Sequence, residues 1–110
     1  MRQINRIFVY GSLQPGMQNE SILKNLNGNW KKGFVLGELL NINSGENYGY
    51  PVLKINKIGS KIYGMVFESY EIKKKIEEID KFEGENYKRI IGEVYLESGL
   101  KKEAYIYVGI

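Results

Sequence analysis

Three segments of this chain each place one glycine in the middle of an apolar, strand-like run: Val35-Leu36-Gly37-Glu38-Leu39, Ile62-Tyr63-Gly64-Met65-Val66 and Ile90-Ile91-Gly92-Glu93-Val94. Glycine weakens a strand because it packs nothing, so it persists where a bulge, a barrel corner or a close backbone approach requires the space. Three such strands predict a strongly curved sheet. Their surroundings differ too much for a true repeat.

Period and punctuation supply the other elements. Residues 4–10, 30–42, 50–55 and 61–68 read as strands, with Asn43 to Asn47 as a loop. Asn19 is a good cap for a short helix carrying Ile22, Leu23 and Leu26, which Asn27 and Gly28 end. Residues 70–82 form the clearest helix. Strands over 89–96 and 104–108 follow, joined by a turn at Ser98-Gly99. This order predicts an α+β fold with a mainly β core. At 110 residues with no linker or shift in composition, the chain is expected to form a single domain over 1–110.

The residue types that are missing narrow the chemistry. The chain has no histidine and no cysteine. That excludes a Ser-His-Asp triad, a thiolate nucleophile, an imidazole base and an N/S zinc site. Any proton shuttle must then be a carboxylate, a lysine or a tyrosine. The 16 basic and 13 acidic side chains leave a net charge of +3, with the lysines scattered. This is mild basicity, so a nucleic-acid partner is not expected. No apolar run approaches the ~20 residues that span a bilayer, and the one near the start is too short for a signal peptide. A cytoplasmic protein without membrane attachment is expected.

One carboxylate stands out by position. On the helix, Ile72, Ile76 and Ile79 fall within about 60° of one another and define the buried stripe. One more turn brings Glu83 to about 20° from Ile72. Gly84 follows and suits a left-handed helix end. Burial and the negative end of the helix dipole would both raise the pKa of such a carboxyl above ~4.3, as a base working near neutral pH requires. The alternative is a helix ending at Asp80, with Glu83 exposed or paired with Arg89. Asp80 reads equally as a cap or salt-bridge partner and as a catalytic group.

A second unusual corner lies at Tyr10-Gly11-Ser12-Leu13, followed by a Pro15-Gly16 turn. It is neither a P-loop nor a dinucleotide fingerprint. Successive backbone N–H groups at a strand end can nonetheless cradle a carboxylate. A plain strand end, with Tyr10 in the core and Ser12 satisfying a local N–H, explains the same residues. The other tyrosines, including Tyr87, Tyr105 and Tyr107, line a pocket or simply pack.

Together, "VYGSLQPG" and "IDKFEGENYKR" at residues 79–89 resemble the paired signatures of the γ-glutamylcyclotransferase-like superfamily, most closely its short γ-glutamylamine cyclotransferase and avirulence-induced-protein-like members. The resemblance spans the chain. It implies a small mixed β-barrel with flanking short helices. It also implies a cofactor-free enzyme that releases 5-oxoproline and an amine from a small-molecule γ-glutamyl substrate. On the family pattern, Glu83 is the catalytic base and acid, Tyr10, Gly11, Ser12 and Leu13 bind the substrate, and Tyr87 and Arg89 support the site. Ile79 replaces the usual leucine before Asp80. The larger glutathione-pathway members carry a C-terminal extension not seen here, so their substrate is not carried over. Substrate choice is expected from Trp30, residues 43–50 and the last strand, and a homodimer is compatible with the family. Two other readings are a binding protein of the same fold without turnover and a small basic RNA-binding barrel.

Overall fold

A computed structural model of the chain describes residues 4–10, 23, 26–41, 51–83 and 87–109. Its elements in chain order are β1 (Arg6–Val9), β2 (Asn29–Asn41), β3 (Pro51–Ile55), β4 (Ser60–Glu68), the helix α1 (Ile72–Glu83), β5 (Tyr87–Leu96) and β6 (Lys101–Gly109). Five strands close into a barrel in the order β2-β4-β1-β6-β5. The ring is completed by the pairs Gly33↔Leu96 and Phe34↔Tyr95 between β2 and β5. Strand β3 lies outside the ring, paired to the far half of β2 from Gly37↔Ile55 to Asn41↔Pro51. Every pairing is antiparallel except β1 with β6, where Ile7 faces Tyr105 and Phe8 faces Ile106 in parallel. The fold is the mixed barrel expected, with one helix among the described residues.

Strand alternation divides the apolar residues between two cores. Phe8, Val35, Leu53, Val66, Val94, Leu96, Ala104, Ile106 and Val108 fill the barrel. Their neighbours Ile7, Val9, Phe67 and Tyr107 point outward, where Ile72 and Ile79 of α1 cover them together with Leu23 and Leu26. Both isoleucines are fully buried and Ile76 packs at the edge, so the stripe read from the helical period is the one that docks. Each fully buried isoleucine contributes roughly 1.5–3 kcal/mol relative to exposure. The start of α1 is fixed by buried Ser69. Its hydroxyl accepts from the Glu71 N–H at 3.0 Å and donates to the Asn27 carbonyl at 2.5 Å, tying the approach to β2 onto the helix cap.

The glycines mark the curvature. A side chain at Gly64 would run into the Val9 carbonyl and the Phe8 ring, because β4 bends tightly across β1 there. Gly37 sits where β2 hands its pairing from Ser60 of β4 to the outer strand. Gly33, at the seam that closes the ring, would bring a Cβ within 2.9 Å of the Tyr95 carbonyl. Two strands are longer than their apolar patterns predict. β5 begins at Tyr87 and β6 at Lys101, because the hairpin ladder from Tyr87↔Gly109 to Tyr95↔Lys101 needs only backbone groups and carries polar residues along. Between them Gly99 turns with φ +96°, as the Ser98-Gly99 reading requires.

Candidate active site

The site forms at one end of the barrel, where the last turn of α1 meets the end of β1, the start of β5 and the end of β6. Helix α1 runs through Asp80 to Glu83. Glu83 is therefore a helical residue in phase with Ile72 and Ile79, and it is half-buried. Burial raises its carboxyl to about 7. The pairing with Arg89, admitted as an alternative from sequence, does not form: Arg89 Nη1 lies 3.1 Å from Asp80 Oδ2. Among the described residues no cation pairs with Glu83.

Two tyrosines feel the charge of Glu83, Tyr10 at the end of β1 and Tyr107 on β6. Burial is the main reason that both hydroxyls are held well above the usual tyrosine range. For Tyr10 the nearby Tyr87 adds to the effect, and for Tyr107 the hydrogen bond to Asp80 does. Both are neutral donors at physiological pH. The Tyr10 hydroxyl donates to the Tyr107 carbonyl at 2.6 Å, and the Tyr107 hydroxyl donates to Asp80 Oδ1 at 2.6 Å. The Arg89 guanidinium lies 4.8 Å from the centre of the Tyr105 ring.

The structure thus brings Tyr10, Glu83, Tyr87 and Arg89 to one end of the fold. Gly11, Ser12, Leu13, Gly84 and residues 43–50 lie outside the described residues. Trp30 is at the other end: its ring packs at a 45° tilt against Phe67 with ring centres 4.8 Å apart, and Phe67 pairs with Ile7 rather than with the Tyr10 end of β1. A specificity role for Trp30 beside Glu83 is therefore not supported. From sequence, Asp80 reads as a cap, an ion-pair partner or a catalytic group, and Tyr107 as a packing or pocket residue. Their shared hydrogen bond spans 27 positions, a separation at which helical period carries no signal.

The described residues thus form a closed mixed barrel with a desolvated carboxyl at the end of its packed helix. Residues 7–109 match the family described as gamma-glutamyl cyclotransferase, AIG2-like, and the chain belongs to that family. A comparison with curated proteins found no match. Among solved structures, YkqA from Bacillus subtilis is 26% identical with a TM-score of 0.72, over 97% of this chain and 36% of that one. An AIG2-like protein from Mus musculus is 24% identical with a TM-score of 0.68, covering 97% and 78%. A protein described as a gamma-glutamyl cyclotransferase is 16% identical with a TM-score of 0.63, covering 96% and 66%. This chain thus spans about a third of YkqA. Family and fold together support a cyclotransferase-like function. No helix among the described residues is long and apolar enough to cross a membrane.

Proposed function

We propose that the protein cyclises the γ-glutamyl group of a γ-glutamyl amide, releasing 5-oxoproline and a free amine without a cofactor. The observation that carries this reading is Glu83: a carboxyl whose pKa is raised by burial, lacking a cation among the described residues, and near enough to the neutral Tyr10 and Tyr107 for its charge to be felt by both. A free α-ammonium has a pKa of ~8, so a base near 7 takes its proton with little penalty. The neutral amine attacks the γ-carbonyl of the same molecule. A C–N bond forms and the carbonyl π pair moves to oxygen. Protonated Glu83 then gives its proton to the amide nitrogen, and the oxyanion re-forms the carbonyl as the original C–N bond breaks. Glu83 passes the second proton of the attacking nitrogen to the released amine, which leaves as an ammonium. Nucleophile and electrophile share one molecule, so orientation supplies much of the acceleration.

In this reading, N–H groups from Gly11 to Leu13 hold the α-carboxylate or the developing oxyanion, and Tyr10 shapes the floor of the site. Release of 5-oxoproline across γ-glutamyl amino acids, γ-glutamyl-ε-lysine and γ-glutamyl polyamines tests the activity. The wild type is expected to turn over at least one of them. Glu83→Gln should bind 5-oxoproline yet release no product. Binding without turnover by the wild type itself would leave a γ-glutamyl binding protein, and undiminished turnover in Glu83→Gln would remove Glu83 from the mechanism.

A further inference from the structure

Asp80 lies one turn before Glu83 and uses both of its oxygens. Oδ1 accepts from Tyr107 and Oδ2 pairs with Arg89. These partners are not scattered: Arg89 and Tyr107 are directly opposed in the β5–β6 ladder, so one carboxylate grips a single cross-strand pair. Tyr107 is then used a second time, because its carbonyl accepts from the Tyr10 hydroxyl. The three residues connect α1, β6 and the end of β1, near enough to Glu83 that its charge is felt by both tyrosines.

The Asp80–Arg89 pair is partly exposed on both sides, a setting in which ion pairs add little to stability. Ile72 and Ile79 already hold the helix down. What those apolar contacts leave unset is the position of the last turn, since helix ends fray and Phe82 beside Glu83 is largely exposed. A hydrogen-bonded chain running from that turn to Tyr10 sets it.

Building on the proposed cyclisation, we infer that Asp80 and Tyr107 are positioning residues: the Asp80–Tyr107–Tyr10 chain holds the last turn of α1 against β6 and β1, fixing Glu83 opposite the Tyr10 corner. Neither touches the reacting atoms. A displacement of about 1 Å at a reacting group can cost on the order of a hundredfold in rate, so loss of the chain appears in kcat more than in KM.

The test uses Tyr107→Phe, which keeps the carbonyl and loses only the hydroxyl, and Asp80→Asn, which keeps an oxygen for Tyr107 and loses the attraction for Arg89. The charge of Glu83 is felt by Tyr10 at the end of β1 and by Tyr107 on β6, while β5 contributes Tyr87, which acts on Tyr10, and Arg89, which acts on Tyr107 and pairs with Asp80. In both variants kcat is expected to fall, about tenfold to a hundredfold in Tyr107→Phe and less in Asp80→Asn, with KM nearly unchanged. The Glu83 carboxyl, titrated by NMR and assigned through Glu83→Gln, should move toward the ordinary carboxylate range: water reaches it in the first variant and freed Arg89 can approach it in the second. Circular dichroism establishes that each variant is folded, and either folded variant suffices. Unchanged kcat and an unchanged Glu83 midpoint in a folded variant overturn the inference. Absence of 5-oxoproline release by the wild type on every substrate overturns the activity instead, and the NMR midpoint still reports whether the chain sets the environment of Glu83.

Discussion

Two glutamates, one at the end of β4 and one at the end of α1, stand in opposite circumstances. Glu68, just before the helix, lies 2.7 Å from Arg6 Nε and 2.6 Å from Lys31 Nζ. The hydrogen bond from Lys31 is the main cause holding its carboxyl below the usual range, with Arg6 adding to it against a burial penalty. Glu83, the last residue of a helix about 18 Å long, has burial and, among the described residues, no cation. The helix dipole reinforces the contrast, since its positive end is near Glu68 and its negative end near Glu83. Paired cations fix a carboxylate in its charged form and make it a strut between β1, β2 and β4. Desolvation without a cation balances the charged and neutral forms, which is the state a proton carrier requires.

The largest expected effect separates the two by activity. Glu83→Gln should lower 5-oxoproline release about a thousandfold, within the range of general acid–base contributions, whereas Glu68→Gln should stay within about twofold of wild type. Comparable losses in a steady-state assay would erase the distinction. Next comes the pH dependence of kcat. The base must be ionised to act, so the rate should fall about tenfold per unit as pH drops below about 7. An acid limb near 4 would mean that Glu83 is solvated like an ordinary surface glutamate.

Stability gives smaller effects of opposite sign. The pKa of Glu68 is depressed on folding, so its contribution is present above the unfolded value and lost as pH falls through the folded one. Glu68→Gln is expected to cost about 1 kcal/mol at pH 7 by urea denaturation, a deficit that shrinks below pH ~4. The pKa of Glu83 is raised on folding, so folded protein binds more protons than unfolded between ~4.3 and about 7, and stability falls as pH rises through that window. Glu83→Gln should therefore be more stable than wild type at pH 8, by as much as about 3 kcal/mol for a shift of that size, and the gain should vanish near pH 4. A variant less stable than wild type at pH 8 would indicate that the charged carboxylate is held by favourable bonds.

These contrasts were unequally visible in the chain itself. Glu83 follows from a local rule, since helical period alone puts it in line with Ile72 and Ile79. Gly37, Gly64 and Gly92 announce curvature because each interrupts an apolar run. Gly33, which closes the ring, sits in the same strand as Gly37 without such a frame, and what crowds it is the Tyr95 carbonyl some sixty positions away. Asp80 was legible only as a group in need of a partner. Which partner it took depended on β5 and β6 pairing in one register, with Arg89 opposite Tyr107. Strand ends at Tyr87 and Lys101 were misjudged for a related reason: backbone hydrogen bonds extend a ladder past the point where side chains stop advertising it.

Seating the first and last strands side by side in parallel has a consequence for how the protein is made. The Tyr10 hydroxyl and the Tyr107 carbonyl that it reaches are 97 positions apart, and β1 separates β4 from β6 in the ring. A ribosome therefore releases almost the whole barrel before its central strand gains its second neighbour. Until then β1 presents an open edge, and such non-local closure is slow and exposed to mispairing. The Tyr10–Tyr107 bond beside Glu83 shares that timetable, since its two halves come from strands at opposite ends of the barrel's own sequence.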